Sequence, residues 1–262
     1  MDIDEVEQAA VVGAGTIGLS WAALFAAQGV QVAIFDPRPD LPNVVEAALE
    51  EFGPHLADQG LDVSRIFDKV QVSPDLKSAV RDAEIVQENG PERIDVKQDL
   101  FRQLIDLTSS ETLLLSSSSA LPASRIVEHL ADGSRVLIGH PFNPPHILPL
   151  VEVVPSARTD AHVVDRAVDF YRQMDRVPVV QRKEISGFVG NRLQNALIRE
   201  AIYLVEQGVV TPAELDSVVT NSLGLRWATV GPFLGWHLGG GEGATDIWTR
   251  TSVSPCARCG TS

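Results

Sequence analysis

The stretch AAVVGAGTIG, residues 9–18, closes an apolar run with Gly13, Gly15 and Gly18 and opens the helical pattern IGLSWAALFAAQG. Each glycine has a separate reason: a tight turn at Gly13, close backbone approach to a pyrophosphate at Gly15, and helix-to-strand contact at Gly18. Thr16 and Ile17, between the second and third glycines, belong to the same cofactor-binding set. The next apolar run, QVAIFD, ends in Asp36, where a carboxylate accepts hydrogen bonds from a ribose diol and repels a 2′-phosphate. Arg38 could in principle host that phosphate, and a glycine turn can form without any ligand. Strand, spacing and acid together predict NAD.

Further β-branched runs follow at 69–73, 83–89, 112–119, 135–140, 150–155 and 177–182, with helical spacing between most of them. That alternation predicts an α/β fold, a Rossmann-type, mostly parallel sheet wrapped by helices. After about Ser186 the strands stop. SGFVGNRLQNALIREAIYLVEQG reads as a long helix and TPAELDSVVTNSL as a shorter one, with Thr211 as N-cap and Pro212 at its first position. The expected organisation is a cofactor domain over 1–185, a smaller all-helical C-terminal domain over 186–243, and an atypical tail over 244–262.

Composition narrows the classes of partner. Thirty-five acidic against twenty-one basic residues give a net charge of −14, a field that repels phosphate backbones and anionic membranes. Nucleic acid and membrane are therefore not expected partners. The acidic start MDIDEVEQ lacks the order of a signal peptide, and no apolar run approaches the roughly 20 residues of a membrane span. With only two cysteines, Cys256 and Cys259, no disulfide framework is expected, and a cytoplasmic setting fits. CARC is half of a zinc site at most, so no metal is expected.

Three more strings, SSSSALP (116–122), GHPFNPPHILPLVEVVP (139–155) and EISGFVGNRL (184–193), join the glycine motif. Together they resemble the L-3-hydroxyacyl-CoA dehydrogenase superfamily. The strings HPFNPP, PLVEVVP and GLRWATVGPF (224–233) are most similar to its branch containing lambda-crystallin, L-gulonate 3-dehydrogenase and carnitine dehydrogenase. The resemblance covers residues 9 to about 243. It implies His140 as general base, Glu152 as the acid orienting it, Ser119 near substrate and nicotinamide, and Asn191 completing the site. It also implies Glu92, Lys97 and Asn143 at the nicotinamide end, and a homodimer closed by the helical domain.

Physical reasoning reaches the same pair. Oxidising a secondary alcohol requires a base for the hydroxyl proton, and histidine titrates near neutral pH. His140 ends a strand, where ligand-facing loops of such sheets begin. Glu152 sits in the apolar strand LVEVVP, where an unpaired carboxylate would be costly, so it needs a donor such as the imidazole. A histidine–glutamate pair filling a core corner is the plainer alternative. Ser116–Ser118 read as local turn chemistry, and Asn191 could simply cap a helix. Ser119, His140 and Glu152 also have the residue types for acyl hydrolysis, but no GxSxG elbow presents the serine.

Residues 38–70 depart from the acyl-CoA members. Arg38, Arg65 and Lys69 stand against Asp40, Glu46, Glu50, Glu51, Asp58, Asp62 and Asp68, a poor site for CoA phosphates. The expected substrate is a small 3-hydroxy acid, with a 3-hydroxyacyl thioester such as 3-hydroxybutyryl-CoA as the rival. A binding protein with little activity is the alternative of another class.

Overall fold

The computed structural model of the chain describes residues 6–240. Eight strands form one sheet: β1 (Gln8–Val12), β2 (Gln31–Phe35), β3 (Val70–Val72), β4 (Ile85–Glu88), β5 (Leu113–Ser116), β6 (Val136–Pro141), β7 (Leu150–Pro155) and β8 (Val177–Val180). Their order is β3-β2-β1-β4-β5-β6-β7-β8. Every neighbouring pair is parallel except β6 and β7. The mostly parallel sheet expected from the alternation is present, with all eight apolar runs as strands.

Parallel strands covered on both faces lose the polar-out alternation. Hence β4 and β5 are buried at every position. Alternate residues still go to opposite faces: Ala9, Val11, Leu113, Leu115 and Leu137 pack in one core, and Ala10, Val12, Leu114, Val136 and Ile138 in the other.

The first core is roofed by α1 (Thr16–Ala27), α2 (Leu41–Asp58), the single turn α3 (Ile66–Lys69) and, further on, α7 (Ala161–Gln173). The second is roofed by α4 (Leu76–Val80), α5 (Ile94–Leu107) and the single turn α6 (Ala123–Ile126). Small residues on α1 let it lie close to the sheet, and Trp21 and Phe25 fill what remains. Their rings stack at 5.2 Å and meet Tyr171 and Phe170 of α7 at 5.7 and 5.1 Å. Trp21 is fully buried, so its replacement by alanine costs about 3–5 kcal/mol.

By compactness the chain forms two units, divided after Arg192. The division falls inside α8 (Val189–Glu206). Beyond it come α9 (Pro212–Val218), a π-helical turn (Val219–Leu223), α10 (Gly224–Thr229) and α11 (Pro232–Gly240). Thr211 caps α9 as expected: its hydroxyl accepts from the Glu214 N–H, and Glu214 accepts from the Thr211 N–H. Such a reciprocal cap contributes about 1 kcal/mol. The expected tail at 244–262, with Cys256 and Cys259, lies outside the described residues.

Candidate active site

The three glycines of the β1–α1 turn separate cleanly by what surrounds them. Gly13 has φ +97°, and a Cβ there would lie 2.8 Å from the Asn89 carbonyl beyond β4. At Gly18 a Cβ would stand 1.9 Å from the Gly13 oxygen. At Gly15 a Cβ would meet no protein atom within 4 Å, so this glycine leaves room for something the chain itself does not supply. Gly15 starts α1 with no side-chain cap, and the following N–H groups, Thr16 and Ile17 first, are free for an anion. The residues present therefore fit a dinucleotide pyrophosphate.

Asp36, just past β2, accepts from the Ala14 N–H through Oδ2 at 2.8 Å and from the Arg38 N–H through Oδ1 at 3.0 Å. Each oxygen keeps a lone pair for a ribose diol. The Arg38 guanidinium is already on Asp40, with Nε 2.8 Å from Oδ1.

Beyond β4, Glu92 gathers the segment after β5. Its Oε1 accepts from the Ser118 hydroxyl at 2.6 Å and from the N–H groups of Ser119, Ala120 and Leu121 at 3.1, 2.8 and 3.2 Å. Burial pulls its carboxyl upward. The Ser118 hydroxyl, the Ala120 and Leu121 N–H groups and the Lys97 charge outweigh that and hold it below its ordinary value. Lys97 is enclosed: its Nζ donates to both oxygens of Glu88 at 2.8 and 2.9 Å and to the Gly90 carbonyl at 3.3 Å, and lies 3.8 Å from Glu92 Oε2.

Ser119 is exposed, and its hydroxyl makes no hydrogen bond among the described residues, while its carbonyl accepts from the Asn191 amide at 3.2 Å. The reading of Ser116–Ser118 as local turn chemistry holds for Ser118, whose hydroxyl donates to the Leu121 carbonyl and accepts from the Leu121 N–H, and needs correction for Ser116 and Ser117. Ser116 donates to Glu88, and Ser117 donates to Asn89 while accepting from Trp21 and Gln87. These hydroxyls point back under the sheet's end because buried Glu88 and Gln87 need partners there.

His140 and Glu152 face each other across the β6–β7 pair. Nδ1 lies 2.9 Å from Oε2, and both side chains are buried. The Phe142 and Phe188 rings flank the imidazole at 5.6 and 5.3 Å. Glu152 Oε1 accepts from Gln181 Nε2 at 2.9 Å and from the N–H groups of Val189 and Gly190 at 2.9 and 3.0 Å. Burial raises this carboxyl, but the bonds from His140, Gly190 and Val189 and the His140 charge prevail, so it sits below its ordinary value. An ionised carboxylate can only accept, so Nδ1 carries a proton, and in the neutral ring Nε2 then presents a lone pair.

Val189 and Gly190 begin α8, and a sharp reversal aims their N–H groups inward. Gly187 and Phe188 have φ +75° and +48°, the second a buried aromatic in left-handed geometry. Residues 189–191 thereby join the two clusters, since Gly190 bonds Glu152 and Asn191 bonds Ser119. Asn143 lies exposed in the loop after β6 and makes no hydrogen bond among the described residues. His146 in the same loop is buried, with Nδ1 2.7 Å from the Ser20 hydroxyl of α1 and its ring stacked on Phe52 and His55 of α2.

Glu88 and Gln181 were absent from the sequence-based site. Glu88 carries a usable signal, a carboxylate within an apolar strand, the same one that marks Glu152. Gln181 has none, because an amide after an edge strand is ordinary. Among the described residues no three of His, Cys, Asp and Glu form a metal-binding group, and no helix is long and apolar enough to cross a membrane.

The model of the 3-hydroxyacyl-CoA dehydrogenase NAD binding domain matches residues 8–185, and that of the 3-hydroxyacyl-CoA dehydrogenase C-terminal domain matches residues 187–259. L-carnitine dehydrogenase of Streptomyces griseus subsp. griseus is 42% identical over 259 residues, covering 94% of this chain and 77% of that protein. The 3-hydroxyacyl-CoA dehydrogenase of Gibberella moniliformis is 41% identical over 240 residues, 91% of this chain and 74% of its own length. Among solved structures, 5-formyl-3-hydroxy-2-methylpyridine 4-carboxylic acid 5-dehydrogenase, described as an NAD+ dependent dismutase, superposes with a TM-score of 0.88 at 33% identity. It covers 97% of this chain and 81% of that one.

Proposed function

The chain belongs to the 3-hydroxyacyl-CoA dehydrogenase family, and on that premise we propose that it oxidises the secondary alcohol of a small 3-hydroxy acid, with His140 as general base. NAD, when bound, supplies the hydride acceptor. Its place is supported by the open face of Gly15, the free N–H groups of α1 and the Asp36 carboxylate.

The observation that carries the reading is the His140–Glu152 pair. Nε2 has a lone pair ready for the alcohol proton, and the anion of Glu152 stabilises the imidazolium that forms. The Ser119 hydroxyl and the Asn191 amide, brought together at 3.2 Å through the Ser119 carbonyl, fix the alcohol oxygen. Glu92 holds the backbone of residues 119–121 and with it the position of Ser119.

A free hydroxy acid is favoured over a CoA thioester by the state of the cations in residues 38–70. Arg38 is paired with Asp40, Arg65 with Asp68, and Lys69 donates to the Gly29 carbonyl. With seven acidic residues against these three cations in the segment, the local charge disfavours a nucleotide phosphate. The relatives named L-carnitine dehydrogenase point the same way. The test is NAD-linked oxidation of carnitine, gulonate, 3-hydroxybutyrate and 3-hydroxybutyryl-CoA side by side. Turnover of the thioester alone overturns the free-acid reading. His140→Ala is expected to lower turnover at least about a hundredfold with NADH binding retained, and unchanged turnover removes His140 from the chemistry.

Two further elements belong to this reading. Leu193, Leu197, Ile198 and Ile202 form an exposed apolar stripe on α8, which supports burial in a homodimer. A monomer by gel filtration at micromolar concentration counts against it. A cytoplasmic setting is supported by the cysteine-poor composition, and cell fractionation tests it.

A further inference from the structure

Gln181 follows β8 directly, is buried, and donates through Nε2 to Glu152 Oε1 at 2.9 Å. Its own Oε1 is buried with no hydrogen-bond partner. The carboxylate offers acceptors only, so the amide must present its nitrogen and leave its oxygen orphaned. An orphaned buried carbonyl is destabilising, and an apolar side chain of similar length would avoid it. What the amide contributes at this position is a donor to Glu152.

We propose that Gln181 is a positioning residue of the reaction: with the Val189 and Gly190 N–H groups it saturates Glu152 Oε1, so that Oε2 stays on His140 Nδ1. The groups facing the carboxylate come from three elements. His140 on β6 is the ionisable one, Gln181 after β8 is neutral, and the start of α8 supplies two backbone donors. Of these, only Gln181 and His140 act through side chains. Losing the amide leaves Oε1 with two donors in place of three and loosens the hold on the carboxylate's rotation about its last bond. It also removes a positive dipole end from Glu152 Oε1, so less of the carboxylate's charge is offset and the protonated ring is favoured.

This inference rests on the dehydrogenase reading for its kinetic arm and on the geometry alone for its spectroscopic arm. The full chain is prepared as wild type, Gln181→Met and Gln181→Glu. In Q181M, kcat is expected to fall by roughly fivefold or more, with KM for NAD unchanged and the acid limb of kcat/KM moved to higher pH. In 15N-histidine NMR, with the signal assigned by its loss in His140→Gln, the His140 Nδ1–H is expected to broaden and exchange faster in Q181M. Q181E can donate to Glu152 only while protonated, so its rate relative to wild type is expected to decline as pH rises.

A Q181M chain that keeps both the Nδ1–H signal and the acid limb of wild type overturns the proposal, even if kcat falls, because packing alone then explains the loss. Should Q181M fail to fold, a Q181E rate that runs parallel to wild type across pH overturns it equally. A wild-type chain that oxidises no hydroxy compound refutes the reaction instead, and the NMR comparison still decides the role of Gln181.

Discussion

Replacing Glu152 with glutamine isolates what the carboxylate does, because its surroundings dictate how the amide must sit. Three N–H donors converge on Oε1 at 2.9, 2.9 and 3.0 Å, and only the amide oxygen can accept them. The amide nitrogen then falls at the place of Oε2, 2.9 Å from His140 Nδ1, and donates to it. Nδ1 must accept, so the ring proton moves to Nε2 and the lone pair that takes the alcohol proton disappears. The corresponding acid-to-amide change in Ser-His-Asp hydrolases lowers kcat by about ten-thousandfold through the wrong tautomer. A fall of roughly 10³–10⁴ is expected here, about 4–5.5 kcal/mol at 1.36 kcal/mol per decade. Because the three donors remain satisfied, the stability loss should stay near 1–2 kcal/mol. The assay is kcat at saturating NAD and hydroxy acid, with NADH affinity by fluorescence and Tm as controls. A kcat for E152Q within tenfold of wild type, in a chain with normal Tm, would show that the orientation of His140 does not limit the reaction.

Gly15→Ala should leave Tm unchanged, since its Cβ meets no protein atom, yet weaken NADH binding about tenfold or more by filling the space of the pyrophosphate. Gly18→Ala should do the reverse in order of cause, costing about 1–3 kcal/mol of stability, because its Cβ would stand 1.9 Å from the Gly13 oxygen. Calorimetry paired with NADH titration checks both, and equal effects on the two readouts would contradict the division of roles. Acid stability has a separate source in His146, lowered from 6.5 to about 4 by burial first and then by the charges of His55 and Arg176. The unfolded chain binds the extra proton between those values, so stability is full above 6.5 and declines as pH falls toward 4. Glu92 and Glu152, both lowered, add losses only below about 4.5. Urea midpoints measured across pH 4–7 should fall for wild type as pH drops from about 6.5 toward 4, whereas those of His146→Gln should run flat down to about 4.5.

The parts legible in the sequence share one property: their physical reason is local or repeats with a short period. The glycine turn, the strand runs and the Thr211 cap each declare themselves within a few residues. His140 and Glu152 are twelve residues apart on consecutive strands, so pairing them needed only one antiparallel step. The parts that were not legible depend on contacts between distant segments. Gln181 reaches Glu152 from 29 positions away, and Ser116 reaches Glu88 from 28. Neither amide nor hydroxyl has a periodicity to betray it. Ser116 and Ser117 escape the sequence for the same reason, since a run of hydroxyls after a strand looks like a turn unless the acid and amides beneath it are known, and only Ser118 makes turn bonds. Lys97 shows the limit from the other side. Its resemblance to a cofactor-side residue is visible in the sequence, while its enclosure by Glu88 and Gly90 appears only in the fold.

Glu152 joins the two kinds of feature, and that has a consequence for how the site tolerates change. The carboxylate that orients His140 also receives the first N–H groups of α8, which no intrahelical bond can satisfy. A negative charge at that end is further favoured by the helix dipole, so the fold stabilises the ionised form that the reaction needs. The left-handed Gly187 and Phe188 are the cost of aiming those N–H groups at the strand. Phe188 recovers part of it by complete burial beside the His140 ring. Removing Glu152 by alanine would therefore release the helix start and the base together, and its kinetic loss could not be assigned to either. Gln181 bonds the carboxylate and supplies none of the bonds of the helix start, and E152Q keeps that start bonded. These two positions separate the catalytic role of the acid from its structural one.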